Sequence, residues 1–255
     1  MTPIPLRAPG ESRWWQGALC CLTMILLDSS TGLQAQTVDY NLPASIFAGA
    51  SANCSNTRYF TNGVVDTGTY TDVLPAGTTM TTVSYTMGID AECTSGAASM
   101  RINGASLTVM DPATSCACGF RFDMTSGAVA VGAYTVGGAN TVTNTNAGNQ
   151  EEWRNDRPYG YVRLRFTVSY PAGMAVWEGD VDTNWSTAGN WSTGAVPTAA
   201  TNVWIPATTS GAVTLGWGGS TANNSPTLTA AAACNNLTIV TGRTLSLGAN
   251  TLTIN

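Results

Sequence analysis

Residues Val162-Arg-Leu-Arg-Phe-Thr-Val-Ser-Tyr170 alternate without a break between apolar and polar side chains. A period of two puts Val162, Leu164, Phe166, Val168 and Tyr170 on one face and Arg163 and Arg165 on the other, the pattern of a strand with one buried face in an antiparallel sheet. Val83, Tyr85 and Met87 repeat it between Ser and Thr, and Cys118, Phe120, Phe122 and Met124 share one face of another strand. Ile102-Asn-Gly-Ala105 is a two-residue hairpin signal, because Asn-Gly supplies two positive-φ positions. Past the first 35 residues no stretch of useful length has helical period. Short strands divided by Gly- and Asn-rich turns predict an all-β chain, an antiparallel jelly-roll-like β-sandwich over residues 36–170.

Charge is scarce. Ten basic residues, every one of them Arg, stand against fifteen acidic ones, with no His; the net charge is −5. An acidic surface lacks the basic footprint that nucleic acid or an anionic membrane requires.

The N-terminus places Arg7 and Arg13 before the apolar run Ala18–Leu27, with a small-residue exit at Ala35-Gln36. A membrane span needs about 20 apolar residues, so residues 1–35 read as a secretory signal peptide cleaved after Ala35 or Gln36; a signal anchor or buried helix is the alternative. The expected location is secreted or cell-surface, with no membrane span after cleavage. Cysteine usage agrees: Cys54, Cys93, Cys116 and Cys118 fall within one segment and read as disulfide partners in an oxidising compartment, their connectivity open among three pairings. A zinc site is the competing reading, against which stand the Cys116-Ala-Cys118 spacing and the lack of His. Cys234 is expected as a buried thiol.

Pro171-Ala-Gly-Met-Ala175 breaks the alternation, making residues 171–176 a linker. Beyond it, Trp177, Trp185, Trp191 and Trp204 are spaced by polar, turn-forming residues; so much aromatic surface needs a packing role, and these residues read as a structural cap. Apolar pairs then recur at Leu237/Ile239, Leu245/Leu247 and Leu252/Ile254. On Asn184-Trp185, Asn190-Trp191, Pro197 and Ile205-Pro206, the segment 177–255 resembles the start of β-helical repeat regions in large surface proteins that Gram-negative bacteria export by the type IX route. The resemblance implies a folding cap followed by the first coil of a β-solenoid (β-helix) that continues into further repeats, with no catalytic role carried over.

Without His or Lys, imidazole-activated nucleophiles and Schiff-base chemistry have no residues to run on. A glycosidase-like carboxylate pair involving Glu151, Glu152 or Asp156 remains conceivable, though adjacent Glu151 and Glu152 point apart in an extended chain and a solvated loop explains them. Asp180-Val-Asp182-Thr-Asn184 imitates the start of a calcium loop, but Trp185 and Trp191 stand where Gly and Glu are required, so it reads as a turn. No catalytic residue, metal or cofactor is therefore expected. The long loop Val136–Gly160 concentrates Glu151, Trp153, Arg154, Asp156, Arg157 and Tyr159, an aromatic and charged set suited to a glycan or a cell-surface protein. The first functional expectation is a non-catalytic exported surface protein, adhesive or structural. The second is a carbohydrate-binding module of a larger secreted polysaccharide-degrading protein, and the third a carboxylate-pair hydrolase.

Overall fold

Val162, Leu164, Phe166 and Val168 have no exposed surface while Arg163, Arg165, Thr167 and Ser169 are half-buried, so the alternating segment is a one-faced strand in the computed structural model. That structure describes residues 35–43, 57–60, 65–92, 97–110, 122–147, 151–154, 162–207, 214–217 and 224–255. In chain order the strands are β1 (Gln36–Leu42), β2 (Thr57–Phe60), β3 (Val65–Thr71), β4 (Thr79–Glu92), β5 (Ala97–Ile102), β6 (Ala105–Met110), β7 (Phe122–Thr125), β8 (Val129–Ala130), β9 (Ala139–Ala147), β10 (Glu151–Arg154) and β11 (Val162–Ser169). There follow β12 (Met174–Val176), β13 (Asn202–Ile205), β14 (Thr214–Trp217), β15 (Ala232–Cys234), β16 (Asn236–Ile239) and β17 (Leu252–Ile254).

The first sheet runs β14-β1-β11-β4-β10-β2, with β7 and β8 also paired to β4, and every pair is antiparallel. The second is β3-β9-β5-β6, again antiparallel. Val38, Tyr40, Leu42, Val83, Tyr85, Met87 and Phe166 from the first sheet meet Tyr70, Met100, Ile102 and Val142 from the second in one buried cluster. The fold is thus an antiparallel β-sandwich, each large core side chain contributing about 1.5–3 kcal/mol through burial. Asn103 (φ 46°) and Gly104 (φ 90°) join β5 to β6 as the Asn-Gly signal predicts.

The expected loop from Val136 to Gly160 is corrected by the structure, which places β9 and β10 inside it. β9 reads Ala-Asn-Thr-Val-Thr-Asn-Thr-Asn-Ala and carries little apolar alternation. Its β-branched Thr residues favour extended backbone, and β3 and β5 pair both of its edges.

From Met174 onward the pairing turns parallel. β12, β13 and β16 form one ladder, β15 and β17 a second, and isolated parallel bridges join Asn184 to Thr227 and Thr227 to Ser246. Ala175, Trp177, Trp185, Trp191, Val203, Ile205, Leu228 and Cys234 make a second core. Trp191 meets Trp177 and Trp185 edge to face, with ring centroids 4.9 and 4.7 Å apart. Trp204 departs from the expected cap. Val203 and Ile205 take the inner face of β13, so Trp204 turns the other way, packs against the sandwich core and donates its indole N–H to the Val73 carbonyl at 3.1 Å.

Strand β14 lies late in the chain yet closes the edge of the first sheet against β1, burying Leu215 and Trp217 in the sandwich core. Trp217 donates its indole N–H to the Tyr170 hydroxyl at 3.1 Å. The segment 177–255 therefore helps build the sandwich as well as its own cluster. Among the described residues, no helix is long and apolar enough to cross a membrane.

Candidate functional site

Strand β1 reads Gln-Thr-Val-Asp-Tyr-Asn-Leu, and its alternation sends Val38, Tyr40 and Leu42 into the core and Asp39 and Asn41 to the opposite face of the sheet. The register sets Asp39 against Arg165 and Arg165 against Ser84, forming one cross-strand row; Asn41, Arg163 and Thr86 form the next. Arg165 grips Asp39 in a fork, Nε to Oδ1 at 2.7 Å and Nη2 to Oδ2 at 2.8 Å. Asp39 is 1% exposed and the Arg165 side chain 35% exposed, so the ion pair reaches from the sheet surface toward solvent. The bond to Asp39 holds the Arg165 guanidinium above its ordinary pKa.

Asn41 is buried, and neither its amide nitrogen nor its amide oxygen has a hydrogen-bond partner. An orphaned buried polar group costs about 1–3 kcal/mol, so the Asn41 amide is a local cost to the fold. The same sheet face carries hydroxyls: Thr86 Oγ1 lies 3.2 Å from Thr125 Oγ1, and Thr82 donates to Thr167 Oγ1 at 2.9 Å. Carboxylate, guanidinium, amide and hydroxyl groups on one sheet face can donate to and accept from a polyol at once. Arg163 and Arg165 are legible as outward residues in the sequence. Asp39 and Asn41 were not singled out there, although Val-Asp-Tyr-Asn-Leu carries the same alternating signal over fewer residues.

Of the residues chosen from the sequence, Glu151, Trp153 and Arg154 lie on β10, where Trp153 pairs with Ile89 and Arg58, and Glu151 with Glu92 and Phe60. They therefore share the first sheet with the polar rows. Asp156, Arg157 and Tyr159 lie outside the described residues, as do Cys54, Cys93, Cys116 and Cys118. Cys234 is a buried free thiol.

The remaining described carboxylates divide by environment. Asp72 accepts hydrogen bonds from the Tyr40 and Tyr134 hydroxyls and from the backbone N–H groups of Leu74 (3.2 Å) and Gly137 (2.6 Å). Burial still raises its pKa against those bonds. Asp182 accepts from the Asn184 N–H at 2.7 Å, Asn190 Nδ2 at 2.6 Å and Thr187 Oγ1 at 3.0 Å, which lowers its pKa and makes Asp180–Asn184 a turn. Asn190, which has no exposed surface, organises that turn: its Oδ1 accepts from the N–H groups of Val181 and Asp182 while its Nδ2 also donates to the Asn184 carbonyl. Glu178 is different. It is 6% exposed, its Oε1 has no partner, and burial, with a smaller contribution from Asp180, pushes its pKa up to about 8. Among the described residues no group of three or more His, Cys, Asp or Glu side chains could hold a metal ion.

No protein-family model matches the chain, and no curated protein matches it. Solved structures with a loosely similar fold include the GH26-CBM35 β-(1,4)-mannanase of Podospora anserina, at 15% identity and TM-score 0.31 over 54% of this chain and 29% of that one. The C-terminal CBM6 of the laminarinase LamC from Zobellia galactanivorans is 14% identical, with TM-score 0.34 over 50% of this chain and 98% of that one. Dimeric latent PorU from Porphyromonas gingivalis is 8% identical, with TM-score 0.34 over 53% and 13%. The chain thus spans well under half the length of the mannanase and of PorU, and the likeness to all three is one of loose β architecture.

Proposed function

We propose that the chain is a non-catalytic, exported surface or extracellular protein whose β-sandwich binds glycan on the outward face of its first sheet. The observation that carries this reading is the Asp39–Arg165 fork, which holds a guanidinium 35% exposed on that face among half-buried Ser and Thr residues. Sugar hydroxyls can accept from the exposed edge of the guanidinium, whose orientation the fork fixes. The lack of His and Lys and the basic, apolar and small-residue order of residues 1–35 support a binding role outside the cell. Disulfides among Cys54, Cys93, Cys116 and Cys118 belong to the same proposal. So does the reading of the parallel ladders as the first coils of a β-solenoid.

Binding to a glycan array by the full chain, repeated with the double variant Asp39→Ala/Arg165→Ala, tests the site. The variant removes both partners of the ion pair, so it leaves no buried charge uncompensated and should still fold, and it should bind at least about tenfold more weakly, a difference of roughly 1.4 kcal/mol. Unchanged binding by the double variant, with loss on Trp153→Ala, would move the site to β10. No binding to any glycan would remove the proposal.

A further inference from the structure

All the parallel ladders end on the same turn of chain. Among the described residues β16 is the last strand of β12-β13-β16, β17 is paired only to β15, and Ser246 ends the series Asn184, Thr227, Ser246. The register carries Ile205 onto Ile239 and Cys234 onto Ile254; one residue beyond the Thr227–Ser246 bridge it carries Leu228 onto Leu247. The lower residues of these pairs, Ile205, Cys234 and Leu228, are 0%, 0% and 2% exposed. The upper ones, Ile239, Ile254 and Leu247, are 40%, 55% and 43% exposed. Equivalent ladder positions are thus interior where a coil lies above them and open where none does.

The other end of the stack is closed. Ser192 donates its N–H to the Val176 carbonyl at 3.0 Å and its Oγ accepts the Val176 N–H at 2.9 Å, so the outer edge of β12 is already bonded. Trp177, Trp185 and Trp191 pack at the same end. A second copy therefore cannot present this closed end to the open one without breaking those bonds.

We infer that the face formed by β16, Leu247 and β17 is a docking edge for one further parallel coil carrying apolar side chains over Ile239, Leu247 and Ile254. The Thr227–Ser246 bridge and the Ala232–Leu252 pair set such a coil at about 20 residues, the repeat length that returns the chain to the next rung. Parallel backbone pairing supplies the hydrogen bonds, and continuation of an existing in-register ladder supplies the specificity.

The test uses the full chain extended after Asn255 by one repeat of residues 236–255, beside the same extension carrying Leu237→Pro and Leu252→Pro within the repeat. Amide hydrogen exchange is read at Leu237–Ile239 and Leu252–Ile254 of the original coil, with solution mass measured in parallel. Stacking predicts exchange at least about tenfold slower with the repeat than with its proline version, both chains being monomers. Equal exchange in the two extended chains would overturn the inference. So would a parent chain already protected at these amides as a dimer, because the edge would then serve two copies meeting end to end.

Discussion

Glu178→Gln should stabilise this protein in alkaline solution and leave it nearly unchanged in acid. The Glu178 carboxyl is buried with an unpartnered oxygen, and its pKa is pushed from the ordinary 4.5 up to about 8. Between those values the folded chain keeps a proton that the unfolded chain has released, so the native state binds more protons and unfolding free energy falls as pH rises. The full displacement corresponds to about 4–5 kcal/mol, of which about 3–4 kcal/mol falls between pH 5 and pH 8, less whatever local relaxation recovers. Glutamine matches the shape and cannot ionise. The parent should therefore lose stability steeply from pH 5 to pH 8 relative to the variant, a difference near 10 °C in Tm at about 2–4 °C per kcal/mol for a domain of this size. Denaturant or thermal unfolding at half-unit pH steps measures it, and the difference between the two chains cancels every other titrating group. Parallel profiles from pH 5 to pH 8.5 would refute the reasoning, because Glu178 would then ionise alike in the folded and unfolded chains.

Trp191→Ala removes the ring that touches both Trp177 and Trp185, and should cost about 3–5 kcal/mol, read as a lower denaturant midpoint. Gly179→Ala places a Cβ 2.7 Å from the Asn224 carbonyl oxygen at φ +65°, and should lower Tm by more than Gly194→Ala, which has φ +64° and nothing within 4 Å; equal losses would show that backbone strain alone matters there. Asp72→Asn turns an acceptor of four donors into a group with one acceptor oxygen, and should destabilise by about 2–3 kcal/mol in chemical denaturation.

The residues show why some of this was legible in sequence and some was not. The alternation at Val162–Tyr170 and the Asn103-Gly104 turn are local signals, and local backbone preference decides them. β9 was missed because its Thr and Asn residues lack an apolar period and its strand state comes from partners on both edges. The pairing of Thr214–Trp217 with β1 joins distant segments, and strand order of that kind leaves no trace in local spacing. The same holds for the candidate site. Arg163 and Arg165 declared their face through alternation, whereas Asp39 became a partner of Arg165 only through the β1–β11 register. Glu178 looked like one more acid in a polar run. Its burial and its unpartnered Oε1 exist only in three dimensions.

The place of β14 bears on how this protein can be cut, fused or shuffled. A piece ending at the proline near residue 171 would leave one side of β1 bare and remove the indole beside the Tyr170 hydroxyl. Bare strand sides recruit foreign strands. The late segment thus acts as a bolt: a ribosome must deliver Thr214–Trp217 before the first strand of the sandwich has both neighbours. Engineers who graft this sandwich elsewhere should carry the bolt with it or replace its hydrogen bonds.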